Sequence, residues 1–179
     1  MLTSDNRADV SGLRALAHPV RVRLLSMLTA RTMSATEAAR ELGQTQANVS
    51  YHMRQLHAVG LLELVEETSV HGGRAKRYRH NPGSGEAMST GSTDDYVALA
   101  SVLAEELLRR SLERQPGSRG GFTDAEMWLP AEAWERVLHL ASQLGEILHS
   151  EARAPGTAGT VHASATLMLF EMAQKDPGA

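Results

Sequence analysis

The chain has no cysteine among its 179 residues. That excludes a disulfide framework and any thiolate ligand for a metal. No stretch approaches the ~18 consecutive apolar residues of a membrane span. The opening residues MLTSDNRADV contain no signal-peptide core, so the expected location is cytoplasmic and no membrane partner is expected. A glycine-rich phosphate loop, a nucleophile elbow and a metalloprotease motif are all missing, so the sequence does not point to an enzyme. What is present is ordinary: 42% hydrophobic and 22% charged residues, enough for one medium domain or two small ones.

Net charge is low, at −3, but it is unevenly spread. Residues 1–82 hold 11 Lys and Arg against 7 Asp and Glu, or +4. Residues 83–179 hold 7 against 14, or −7. A basic half joined to an acidic half is the asymmetry of a DNA-reading domain with an appended region. The Gly/Ser/Thr-rich run NPGSGEAMSTGST, residues 81–93, cannot pack a core and separates the halves. The expected organisation is a DNA-binding domain over 1–82, a linker over 83–93 and a dimerisation and effector region over 94–179. QPGSRGG at 115–121 and APGTAG at 154–159 interrupt the second half, and the tail after Gln174 is expected to fray.

The first half reads as four helices and a hairpin. A helix is expected from Asp9 to Ala17. A second starts at Pro19, whose fixed φ suits a first helical position, with Val22, Leu25 and Leu28 inward. Ser34-Ala35-Thr36-Glu37 has capping-box spacing and opens a third helix, which ends at Leu42 with Gly43 as left-handed cap. A fourth runs from about Thr45 to just before Gly60. Leu61 to Thr68 reads as a strand, His71-Gly72-Gly73 as a turn, and Arg74 to His80 as the return strand.

A short glycine-containing turn, Gly43-Gln44, between the third and fourth helices is the spacing of a helix-turn-helix, whose second helix enters the major groove. Val49, Met53 and Leu56 share one stripe and must face the core. The opposite side carries Gln44, Ala47, Asn48, Ser50, Tyr51, Arg54 and Gln55. It is almost free of acid, and its Gln, Asn and Arg match base-edge patterns of adenine and guanine. The candidate reading helix comprises Gln44, Thr45, Gln46, Ala47, Asn48, Ser50, Tyr51, His52, Arg54 and Gln55. Arg74, Lys76, Arg77, Arg79 and His80 follow within seven residues. A cationic two-stranded ribbon can lie along a phosphate backbone or a minor groove, so Arg74, Lys76, Arg77 and Arg79 are the candidate wing contacts.

The runs Leu16-Ala17-His18-Pro19-Val20-Arg21-Val22-Arg23-Leu24-Leu25, Ala38-Ala39-Arg40-Glu41-Leu42, Gln46-Ala47-Asn48-Val49-Ser50-Tyr51-His52-Met53-Arg54-Gln55-Leu56 and Gly60-Leu61-Leu62 resemble the arsenic-repressor (ArsR-type) winged helix-turn-helix regulators. The resemblance covers about residues 10–82. It implies a homodimer that binds double-stranded operator DNA, with the helix over 44–59 in the major groove and the basic hairpin on backbone. It departs from the family where many members sense metals. The stretch Met33-Ser34-Ala35-Thr36-Glu37 holds no thiolate, and the helix expected from Asp94 to Arg114 holds no histidine. No metal site is expected there, and no cofactor is expected.

In the second half, Asp94 to Arg114 reads as a helix whose first part, Tyr96 to Leu108, is apolar nearly all round, which suits burial against its own subunit and a partner. Phe122 to Leu129 and Thr160 to Met172 alternate like strands, and the two can pair in one small sheet. Pro130 to His149 is an amphipathic helix with Trp134, Val137, Leu138, Ala141, Leu144 and Leu148 inward. Trp128, Trp134, Met127, Met168, Phe170 and Met172 can line a pocket for an unknown small effector, or form an ordinary core. Glu135, His139, Glu146 and His149 share a helix face that reads as a solvated surface. The expected fold class is mainly α with small β: a winged helix-turn-helix domain plus a C-terminal α+β region. A second functional reading keeps the same fold as a protein-interaction module that does not bind DNA.

Overall fold

In the computed structural model the residues described are 12–70, 73–84 and 91–173, with the side chains of 68–75 left aside. Six helices and three strands follow one another: α1 (Gly12–Leu16), α2 (Pro19–Ala30), β1 (Met33–Ser34), α3 (Ala35–Leu42), α4 (Gln46–Ala58), β2 (Leu62–Val70), β3 (Gly73–His80), α5 (Thr93–Leu112) and α6 (Ala131–Ser150). The expected start of the first helix at Asp9, the turn residues His71 and Gly72, much of the linker and the tail after Gln174 lie outside the described residues.

Local chemistry sets the helix ends of the first half. His18 caps α2, its Nδ1 accepting the Val20 N–H at 3.2 Å, with Pro19 inside the first turn. Ser34 and Glu37 close a reciprocal capping box on α3, and Gly43 ends that helix at φ 63°, a conformation costly for a side-chain-bearing residue. Thr45 caps α4 by accepting from the Asn48 N–H at 3.3 Å.

The core sits between these helices and the sheet. Leu24, Leu28, Val49, Met53, Leu56, Leu61 and Leu62 are fully buried. Burial of each such side chain contributes roughly 1.5–3 kcal/mol, which is why the stripe on α4 fixes the side that helix shows to solvent. The sheet is antiparallel in the order β1-β3-β2, with Met33 opposite Tyr78 and Leu64 also opposite Tyr78 on the other edge. β1 was not expected: two residues are too few to leave a periodicity. An irregularity between Leu64 and Glu66 leaves Val65 unmatched, a bulge that increases the local twist of the hairpin.

α5 returns onto the first half. Ser92 and Asp95 form its capping box, Arg14 of α1 reaches Asp95 at 3.4 Å, and Leu99 is buried in the core shared with α1 and α2. Its other side is open, with Val97, Leu107, Leu108 and Leu112 exposed. The domain is therefore winged helix-turn-helix with a further α region, mostly helical with one small sheet.

The C-terminal expectation needs correction. Neither 122–129 nor 160–172 is a strand, so the described part of that region is helical and irregular, not α+β. Alternation marks which side chains share a face but not what supplies the backbone partner, and among the described residues neither stretch makes a backbone hydrogen bond to another segment. α6 forms as expected, yet none of its residues is buried. Trp128 is 84% exposed and Met127 is exposed too, so neither is enclosed by the described residues. Among the described residues no group of three or more His, Asp or Glu is placed to hold a metal ion.

Candidate nucleic-acid interface

The exposed side of α4 is built from its buried side. Val49, Met53 and Leu56 point inward, which turns Gln44, Thr45, Gln46, Ala47, Tyr51, Arg54 and Gln55 to solvent, with Asn48 and Ser50 partly covered. Tyr51 is 50% exposed. Two local bonds order this face: Asn48 Nδ2 donates to Gln44 Oε1 at 3.0 Å, and Arg54 Nε donates to the Ser50 carbonyl at 3.3 Å. No Asp or Glu lies between Gln44 and Gly60, so the surface can approach a phosphate backbone without repulsion. The open N-terminus of α4, with the exposed Gln44, Thr45 and Gln46 around it, adds a favourable dipole end for anions.

His52 departs from the expected set. It is only 5% exposed and packs against His18, ring centroids 4.4 Å apart and planes tilted by 40°. It faces α2, so it belongs to the packing beneath the reading face. Both imidazoles are held below the ordinary histidine pKa, first by burial and then by neighbouring positive charge, from Arg21 at His18 and from His18 and Arg21 at His52. His52 Nδ1 is buried without a hydrogen-bond partner.

The hairpin is less uniformly cationic than its sequence implies. Arg77 turns back toward α3: Nη1 donates to Glu37 at 3.1 Å and Nη2 to the Thr32 carbonyl at 2.9 Å. Glu37 is the capping-box acid, and its carboxyl is held below the usual range chiefly by the Ser34 N–H, with Arg77 assisting. Arg77 thus fastens the wing root to the helix-turn-helix. Arg79 pairs with Glu63 across the ladder. Lys76 is exposed, opposite Glu67 in the register. Arg74 pairs by backbone with Ser69, and its side chain lies outside those described. The acids of β2 were visible in the sequence as Glu63, Glu66 and Glu67, and the ladder register makes them neighbours of the cations on β3.

His80, at the wing's root, is buried. Its Nε2 lies 3.1 Å from Ser84 Oγ, its Nδ1 3.4 Å from Thr29 Oγ1, and its ring 4.6 Å from that of His149 on α6. Burial, then the positive charge of His149, lowers its pKa to about 4.

The fold and this face define the class: a winged helix-turn-helix protein, the architecture of DNA-binding transcription regulators. The profile of a helix-turn-helix domain family matches residues 16–65, which span α2, the turn, α4 and the start of the wing. No curated protein matches the chain. Similar solved structures include a possible transcriptional regulator for arsenical resistance, 21% identical, covering 59% of this chain and 97% of that one with a TM-score of 0.33. Mycobacterium tuberculosis Rv0081 is 25% identical over 57% of this chain and 86% of that one, TM-score 0.33. A possible transcriptional regulator from Methanosarcina mazei Go1 is 14% identical over 55% and 78%, TM-score 0.31. TM-scores this low say nothing about the arrangement of the whole chain.

Proposed function

We propose that this protein is a sequence-specific, DNA-binding transcriptional regulator that acts as a homodimer on operator DNA. The observation that carries the reading is the acid-free, outward face of α4, presented after a turn locked by the left-handed Gly43. Gln44, Asn48, Tyr51, Arg54 and Gln55 are the base-reading candidates, and the α4 N-terminus and Lys76 serve the backbone. Arg77 and Arg79 act in shaping the wing, because their guanidinium groups are already engaged by Glu37 and Glu63. No catalytic step is part of this function.

Selection of bound sequences from random duplex DNA, at two salt concentrations, tests it. The expected result is an enriched motif and an affinity that falls steeply as salt rises. Absence of any retained duplex at low salt overturns it in favour of a protein-interaction module.

A further inference from the structure

The C-terminal half keeps an unusual amount of surface. A compact monomer of 19.4 kDa exposes about 8,500 Å²; this chain exposes 13637 Å². The residues left undescribed do not account for the gap. Given the area of a fully extended chain and removed from the comparison, they leave the remainder about 2,000 Å² above a compact fold of its size. A stable interface needs only ~800 Å² from each partner, and obligate dimers bury several times that.

Most of the exposed large apolar side chains belong to this half. α6 exposes Leu140 and Ile147, and the outer side of α5 exposes Val97 and Leu108. Phe122, at 93% exposure, opens one irregular segment and Val161 is exposed near the start of the other. The second segment is not loose. Phe170 lies against Tyr96 of α5, centroids 6.0 Å apart, and Glu171 accepts from Trp134 Nε1–H of α6 at 2.9 Å. It is anchored at its end, while its backbone over 161–170 makes no backbone hydrogen bond to another described residue. Such an unpaired backbone is a template for another chain.

We propose that a second copy of this chain covers this half, its 122–129 and 160–172 segments lying along those of the first and its α6 closing over the exposed leucines. The proposal rests on the homodimer in the function above and adds where the dimer is made. A second copy is the occupant favoured by the surface itself. Two-fold symmetry sets each patch against its own kind and runs identical edges antiparallel. Supply in equal amount is automatic, and the area is that of a permanent interface rather than a transient one.

The test uses the full chain without DNA. Sedimentation at micromolar concentration should give twice 19.4 kDa, and amides over 161–169 should exchange about a hundredfold slower than open coil. Leu140→Glu and Leu167→Glu fall at positions 62% and 51% exposed in the single chain, so a carboxylate there costs an isolated chain little. Each should yield a monomer with unchanged helical circular dichroism and with the 161–169 protection lost. A wild-type monomer, unprotected amides, or a dimer indifferent to both variants overturns the proposal. A dimer that retains no duplex refutes the operator reading and leaves this one standing. A monomer that still selects a motif overturns this proposal and the homodimer of the function above, and leaves the DNA reading standing.

Discussion

Arg54 lies on the exposed side of α4 with its Nε resting on the Ser50 carbonyl, so its guanidinium edge is free to turn toward a guanine. Arg54→Ala should weaken binding to the selected motif by ~1–3 kcal/mol and relax one base position; titration of the motif and its single-base variants measures both, and an unaltered profile removes Arg54 from the reading face. Histidines give the pH dependence. His80 is held near 4 in the folded chain by burial and His149, whereas an unfolded histidine titrates near ~6.5. The unfolded chain therefore takes up the proton first. Stability is complete above the unfolded value and declines as pH falls from there toward 4, by at most about 1.4 kcal/mol per pH unit. His18 and His52 are shifted in the same direction and add to the decline. Unfolding free energies from denaturant curves should be level above pH ~6.5 and fall from there toward pH ~5 with about this slope, and His80→Gln should flatten part of it; a stability that rises on acidification contradicts the assignment.

At the scale of elements, the wing divides its cations by task. Lys76→Ala should weaken all duplexes alike and reduce the salt slope by about one, with melting temperature unchanged. Arg77→Ala should instead cost stability, about 1 kcal/mol after allowance for its partial exposure, because the Thr32 carbonyl and Glu37 lose their donor. A melting curve and a salt titration on both variants separate the two; identical behaviour contradicts the division. This split was not legible in the sequence, which shows Arg77 and Lys76 as adjacent cations and says nothing of which side of the ladder meets α3. By contrast α2, α3 and α4 were legible almost to the residue, since Pro19, the Ser34–Glu37 box, Gly43 and Thr45 act through the backbone within three or four residues. His52 was misplaced because a helical position beside Tyr51 gives no sign of the His18 ring that covers it. The segments 122–129 and 160–172 alternate like strands without forming them for a related reason: strand pairing is non-local, and alternation names a face without naming its partner.

For the whole molecule, the question is how far apart two α4 helices sit. If both copies read duplex DNA together, the reading helices must fall on one side of the double helix, with half-sites ~34–36 Å apart, one turn of ~10 base pairs, or a multiple of it. The selected operator should then be an inverted repeat with that period. Insertion of half a turn, ~5 base pairs, between the half-sites puts the second on the far side and should lower affinity to about that of a single half-site. A further full turn recovers binding only as far as the dimer can span it. The monomeric variant Leu167→Glu supplies the control, because chains that bind one at a time are indifferent to spacing. If the wild-type protein shows the same indifference as that variant, the two reading helices are not held by a common frame, and cooperation between half-sites has no structural basis in this protein.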